Sequence, residues 1–177
     1  YWEDRKHSLE YDIDGMVIKI DNFEQQKILG ATSKFPRWAI AYKFAPEQAV
    51  SKITSVEMSI GRTGAITPVA NFEPPVKLAG TMVKRATLHN EDYINELDIR
   101  LFDNVIIEKA GEIIPAVVGV KKESRSGNEQ KIIFPAACPS CGGLIVKFED
   151  EVKRKCVNRE CPAQIIRQIE HFCSKNF

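Results

Sequence analysis

Ser51-Lys52-Ile53-Thr54-Ser55-Val56-Glu57-Met58-Ser59-Ile60-Gly61-Arg62-Thr63-Gly64 reads as a strand running into a tight turn. Thr54, Val56, Met58 and Ile60 fall on one side of a period-two pattern, and Ser55, Glu57 and Ser59 on the other. The glycines bracketing Arg62-Thr63 supply turn chemistry. Further short β-like runs follow at 65–72, 76–86, 104–109 and 113–120. Between them, 90–98 has the marks of one short helix, with Asn90 as cap and acids in the first turn. Five or six short strands with one interposed helix in about 80 residues predict a small closed barrel, most commonly of the OB-fold type.

Working outward, Phe44-Ala45-Pro46 closes the preceding part, because proline disfavours continuation of a strand. On the other side, 121–130 is polar, with Ser124, Ser126, Gly127 and Asn128, and reads as a loop. The chain therefore divides into 1–46, a barrel at 47–130, a cysteine-bearing segment at 131–162 and a helical end at 163–177. The fold class is mainly β with short helices. In the last part Ile165, Ile166, Ile169 and Phe172 share one helix face. The 177 residues begin without a recognisable domain start and stop soon after that helix, so a fragment of a longer protein is expected.

Cys138-Pro139-Ser140-Cys141 and Cys156-x4-Cys161 are two close pairs separated by fourteen residues. Sulfurs presented by two tight turns can converge on one ion at about 2.3 Å. Two disulfides would use the same cysteines, but the chain carries no secretory pattern, so structural zinc is the expectation. Four protein ligands leave no open coordination position, so the ion holds a small fold together and does no catalysis. Cys173 lies outside the pattern and is expected to be an ordinary buried or half-buried thiol.

The net charge of +1 gives no global signal for nucleic acid, and no apolar run approaches the length of a membrane span. Locally, 47–130 carries ten basic and twelve acidic residues, whereas 131–177 carries eight and five. The positive excess thus sits in the cysteine segment, at Lys147, Lys153, Arg154, Lys155 and Arg159.

Two strands near the N-terminus carry lysine. Asp14-Gly15-Met16-Val17-Ile18-Lys19-Ile20 places Met16, Ile18 and Ile20 on one face, expected to be core, and Val17 and Lys19 on the other. Trp38-Ala39-Ile40-Ala41-Tyr42-Lys43-Phe44 puts Trp38, Ile40, Tyr42 and Phe44 on a bulky face and Ala39, Ala41 and Lys43 opposite. Small residues beside a cation form a shallow floor that suits a flat base and a phosphate.

These residues resemble bacterial NAD-dependent DNA ligases. Residues 14–19 look like nucleotidyltransferase motif IV of that family and 38–44 like motif V. Residues 61–70, Ala86-Thr87-Leu88-His89-Asn90 and 109–115 resemble its OB domain, and the four cysteines match its zinc finger. ATP-dependent ligases and capping enzymes share both motifs in outline, but their motif V usually carries two lysines one residue apart. Here Ala41 precedes Tyr42. A non-catalytic OB-fold and zinc-ribbon module is the other alternative, and it has no reason to carry lysine among small residues on an N-terminal strand pair.

The resemblance implies nick sealing in duplex DNA with NAD as AMP donor, through enzyme-adenylate and DNA-adenylate intermediates. Its steps are in-line displacements at phosphorus, where positioning and charge neutralisation dominate. Lys19 and Lys43 would bind and stabilise the adenylyl phosphate, and Asp14 would hold magnesium (or manganese). Arg62, Thr63 and Lys109 would face the DNA minor groove and backbone, and Ile113 and Ile114 would pack on a sugar near the nick, strand core being the other reading of that pair. Cys138, Cys141, Cys156 and Cys161 would hold zinc. The final segment would begin a helix-hairpin-helix region. The family's nucleophile sits in Lys-x-Asp-Gly, whereas the one Asp-Gly here is preceded by Asp12-Ile13. These residues are therefore expected not to seal DNA alone. A monomer in the bacterial cytoplasm, associated with the nucleoid in use, is the expected setting.

Overall fold

The computed structural model describes residues 2–11, 13–78, 80–109, 114–149 and 151–174. Ile113 lies outside the described residues. The chain divides into two compact units, Tyr1–Pro46 and Glu47–Phe177.

In the first unit, helix α1 (Trp2–Arg5) precedes strand β1 (Gly15–Lys19), helix α2 (Phe23–Leu29) and strand β2 (Ala39–Lys43). Asn22 starts α2, its Oδ1 accepting from the N–H groups of Glu24 at 2.9 Å and Gln25 at 3.2 Å. That satisfies donors which a first helical turn otherwise leaves unpaired. β1 and β2 pair antiparallel, with Gly15 opposite Lys43, Val17 opposite Ala41 and Lys19 opposite Ala39. A Cβ at residue 15 would lie 2.4 Å from the Tyr42 carbonyl oxygen and 3.0 Å from Lys43 Cα. Only glycine lets the strands close there. The face expected to be core is only half covered in this unit: Met16 and Ile20 are half-buried but Ile18 is 57% exposed, and on the bulky side of β2 Ile40 is 67% and Tyr42 53% exposed. Two strands and one seven-residue helix offer too little surface to cover both faces of the sheet. Phe44, by contrast, is buried.

The second unit comprises β3 (Glu47–Ile60), β4 (Ile66–Leu78), β5 (Thr81–Thr87), helix α3 (Glu91–Leu97), β6 (Arg100–Leu101), β7 (Asn104–Lys109) and β8 (Ala116–Val120). It continues with β9 (Gln130–Lys131), β10 (Ile145–Val146), β11 (Lys155–Cys156) and helix α4 (Pro162–Ser174). A closed barrel runs in the order β3-β4-β5-β8-β7, the expected OB-type architecture. The fourteen-residue β3 serves two neighbours, Glu47–Lys52 pairing with β7 and Ile53–Ile60 with β4.

A register shift between Ile53 and Ser55 marks where β3 changes partner. An extra residue there flips the alternation, so the expected side of Thr54, Val56, Met58 and Ile60 is the more buried one past the bulge, whereas before it the odd-numbered residues turn inward. Ser51 and Ile53 are buried before it, and Ile60 after it, while Thr54 turns aside and donates from Oγ1 to the Asn71 carbonyl at 3.1 Å. The run expected as one strand at 76–86 is a hairpin, with Gly80 at φ 71° between β4 and β5. β4 also extends past Phe72 to Leu78, and a second register shift between Asn71 and Val76 accommodates Pro74 and Pro75, which cannot donate to a ladder. The expected strand at 113–120 contributes β8 from Ala116.

Ile53, Leu88, Val105, Ile107 and Val117 are fully buried at the barrel's centre, and Ile94 of α3 joins them. α3 starts as expected, Asn90 Oδ1 accepting from Tyr93 N at 2.8 Å. It stops at Asp98, whose φ of 53° leaves the helical region.

The segment expected to be a plain polar loop carries a structural clasp. Arg125 donates from Nε and Nη2 to the two carboxylate oxygens of Asp103, both at 2.8 Å, and from Nη1 to Asp98 at 2.7 Å. The Asp103 side chain is wholly buried and also accepts from the Arg100 N–H at 2.8 Å. Hydrogen bonds from Arg125 and then Arg100 lower the Asp98 pKa to about 2, and the Arg125 pKa is raised by the same carboxylates. A planar guanidinium fits this paired arrangement as an ammonium would not.

Arg125→Met strands the buried Asp103 carboxylate, so urea unfolding should show a loss of about 3–5 kcal/mol; an unchanged midpoint would exclude the clasp. Because the folded pKa of Asp98 is depressed, its stabilisation is present above about pH 4 and lost as pH falls through about 2. Acid unfolding should therefore show the wild type more stable than Asp98→Asn above about pH 4, with the gap closing as pH falls through about 2.

Candidate metal centre and nucleic-acid interface

Each cysteine is presented by a tight local structure. Cys138 and Cys141 flank a knuckle in which the Gly142 N–H donates to the Cys138 carbonyl and the Cys138 N–H to the Gly143 carbonyl, both at 2.8 Å. Cys156 lies on β11, paired with Ile145 of β10. Cys161 immediately precedes α4, with Pro162 as first helical residue, a position where its missing N–H costs nothing. The Ile165 N–H donates back to the Cys161 carbonyl at 3.1 Å.

The four sulfurs lie within 4.8 Å of one another. Sγ of Cys138 and Cys161 are 3.9 Å apart, and those of Cys141 and Cys156 3.7 Å. A tetrahedral zinc–thiolate centre with bonds of about 2.3 Å needs sulfur separations near 3.8 Å, so the residues fit that ion. All four thiols are free. The Gly143 N–H and the Asn158 side chain lower the Cys141 pKa to about 6, whereas burial raises Cys156 to about 12. A buried thiolate of the second kind needs a cation beside it. Cys173 is exposed, not buried as expected.

The cysteine segment is not a separate lobe. Ile60 and Ile66 of the barrel share one buried cluster with Cys138, Ile145, Cys156 and Cys161. The turn between β3 and β4 is stitched to β11, with the Cys156 N–H donating to the Gly64 carbonyl at 3.0 Å and the Ile66 N–H to the Arg154 carbonyl at 2.9 Å. Gly64 has φ 80°, and a Cβ there would meet the Cys156 carbonyl oxygen at 2.4 Å. Both the conformation and the space demand glycine.

The basic residues of this segment are largely committed. Arg154 pairs with Glu91 at 2.6 Å and Lys147 with Asp92 at 2.6 Å, tying the cysteine segment to α3. Glu91 raises the Arg154 pKa. Lys155 pairs with Glu151 at 2.5 Å, and Lys153 donates to Thr67 Oγ1 at 3.3 Å. The positive excess read from the sequence is therefore mostly spent inside the unit. Arg159 has no carboxylate partner among the described residues.

The residues expected to meet DNA fall at opposite ends of β3. Lys109 stands opposite Glu47 at its start, while Arg62 and Thr63 occupy the turn just past Ile60. Lys109 Nζ donates to Thr81 Oγ1 at 2.8 Å, and the exposed Ile114 lines the same shallow concavity with Met82, Lys84 and Arg85. Ile114 is 73% exposed, so it is not strand core. Arg62 and Thr63 line a second groove with Phe148, Arg159 and Gln168. Lys84, exposed next to the buried Val83 of β5, is brought to this concavity by closure of the barrel.

In the first unit, Lys19 and Lys43 share one face of the β1–β2 pair. Gly15, Val17, Ala39 and Ala41 make the floor between them. The two lysines stand four residue steps apart along the ladder, about 13 Å. Asp14 falls at the bend before β1, one step out of phase with both, and its carbonyl accepts from the Phe44 N–H at 2.9 Å.

Family models for NAD-dependent DNA ligases match in the same order along the chain. The adenylation domain covers residues 1–47, the OB-fold domain 50–129 and the C4 zinc finger domain 137–163. The chain belongs to the NAD-dependent DNA ligase family. It is 55% identical over 174 residues to a DNA ligase of Anoxybacillus flavithermus, which covers 98% of this chain and 26% of the relative. Identity to the DNA ligase of Bacillus subtilis is 53% over 172 residues, and to that of Symbiobacterium thermophilum 53% over 175. The chain thus spans about a quarter of the length of the relatives it matches, 26% in each case. Among the described residues, no helix is long and apolar enough to cross a membrane.

Replacing Cys141 by Ser should abolish stoichiometric zinc, since structural zinc supplies on the order of 10 kcal/mol to small fingers. Because Ile60 and Ile66 share the cysteine cluster, near-ultraviolet circular dichroism and proteolysis should show loosening beyond 137–163. Zinc retained in the variant, or a native Cys138–Cys141 disulfide, would contradict the assignment.

Proposed function

We propose that this chain is the end of the adenylation domain, the OB barrel and the zinc finger of a ligase that seals nicks in duplex DNA with NAD as AMP donor. The observation carrying this reading is the shared face of β1 and β2, with Lys19 and Lys43 at the two ends of a floor of small residues. A flat base can lie on such a floor, and two flexible ammonium groups can lean toward one phosphate. Both cations would act where charge develops on the adenylyl phosphate as it passes from NAD to the enzyme and then to the 5′-phosphate of the nick. Asp14, at the bend beside the Lys43 end, would supply a hard oxygen ligand for magnesium.

Cys138, Cys141, Cys156 and Cys161 would hold zinc, which supplies structure and leaves no coordination position for substrate. Arg62, Thr63, Lys109 and Ile114 would meet the duplex. Donors to phosphate and an apolar contact to sugar fix register without reading sequence, which an enzyme acting on any nick requires.

In the full-length ligase, Lys19→Ala and Lys43→Ala should each slow adenylyl transfer by about 10²–10³ without unfolding the protein. Lys43→Arg should rescue poorly, because a planar fork does not replace a point charge. Wild-type rates in either alanine variant would show that the lysines are merely solvated. Arg62→Ala should weaken nicked-duplex binding about equally on every sequence and flatten the log–log salt slope by about one unit. A loss of self-adenylation with unchanged DNA binding would contradict that assignment.

A further inference from the structure

The turn proposed to touch DNA is short, with its two side-chain-bearing residues exposed and Gly64 buried behind them. Arg62 and Thr63 stand between Gly61 and Gly64, both exposed at the end of a hairpin. Its inner bonds are the Gly61 N–H to the Ala65 carbonyl and the Gly64 N–H to the Gly61 carbonyl, each at 2.9 Å. Among the described residues, its other hydrogen bonds come from the finger and from α4.

Two glutamines one turn apart on α4 make that connection. Gln164 is 6% exposed, and its Nε2 donates to the Cys156 and Asn158 carbonyls, both at 3.0 Å. The same Nε2 lies 3.0 Å from where a Cβ on Gly64 would stand, so the amide fills the space behind the turn. Gln168 reaches further along the face, and its Nε2 donates to the Arg62 carbonyl at 3.2 Å. Residues four apart lie on one face of a helix, so α4 presents both amides to the turn and to the strand beside it. Cys161, at the start of α4, ties the same helix to the cysteine cluster.

We propose that Gln164 and Gln168 are positioning residues for DNA binding, and that the zinc centre acts on DNA through them by fixing the Arg62–Thr63 turn. The inference rests on the reading of Arg62 as a DNA contact. It differs from direct binding by the finger, whose Lys147, Arg154 and Lys155 are engaged with Asp92, Glu91 and Glu151. A helix that starts right after Cys161 and grips the turn would convert zinc occupancy into the geometry of an arginine outside the cysteine cluster.

The test is a double-mutant cycle on the full-length ligase with a nicked duplex oligonucleotide as probe. Methionine removes each amide while keeping its length. Gln168→Met, which loses one hydrogen bond, should weaken nicked-duplex binding about three- to tenfold, and Gln164→Met, which loses two, at least as much, with zinc still bound stoichiometrically in both. Neither change should have a further effect in an Arg62→Ala background, since positioned and positioning residues do not add. Gln168→Lys, which restores a donor, should recover more affinity in the wild type than in Arg62→Ala. Effects that simply add to Arg62→Ala, no effect of either methionine, or zinc loss in Gln168→Met would overturn the proposal. If Arg62→Ala itself leaves DNA binding unchanged, the assignment of the turn fails instead.

Discussion

The Cys156 N–H bonded to the Gly64 carbonyl, with the Gly64 α-carbon pressed toward the Cys156 carbonyl, is the constraint on which the second unit depends. It joins one of the four clustered cysteines to the turn of a barrel hairpin through one main-chain bond. On one side of it lie the four cysteines. On the other lies β3, the strand that pairs with both β4 and β7 and so closes the barrel. Any side chain at residue 64 would separate them, because neither the positive φ nor the space admits one. The ion pairs from Arg154 and Lys147 to α3 reinforce this junction from a second direction, and the shared burial of Ile60, Ile66 and Ile145 fills the volume between.

Seen from that junction, the charge distribution has a different meaning from the one composition suggests. A net positive segment beside a barrel invites the reading of a finger lying on DNA. Three of its five candidate cations instead neutralise Glu91, Asp92 and Glu151 within the protein. Partly exposed pairs of this kind contribute modest energy individually, but their placement sets how the finger sits on the barrel. Near the finger, Arg62 and Arg159 line one groove, and on the barrel Lys84 and Lys109 line a second concavity.

Much of this was legible in the sequence because the deciding signals are local. Cysteine spacing depends on turn geometry, Asn90 caps its own helix, and the strands flanking Gly61–Gly64 alternate. Four features were not legible, each for a definite reason. The bulge at Ile53–Ser55 inverts the alternation midway along β3, so a single period set by Val56, Met58 and Ile60 misplaces the buried Ser51 and Ile53. The bend around Gly80 breaks a run whose composition is continuous. Arg125 looks like one more polar residue in a polar loop, and nothing nearby reveals that its partners, Asp98 and Asp103, lie more than twenty residues earlier. The face of Ile18, Ile40 and Tyr42 has the composition of a core but is open within its own unit, since sequence periodicity shows which residues share a face and not what covers it.

The central claim, that metal site and barrel hairpin form one cooperative element, is tested most directly by residue-resolved amide hydrogen exchange on the full-length ligase before and after zinc chelation. The account predicts that the amides of Cys156, Gly64 and Ile66 lose protection together with those of Cys138 and Gly142, while Val105 and Val117 in the barrel centre stay protected. Loss confined to the amides between Cys138 and Cys161, with Gly64 and Ile66 unaffected, would contradict it.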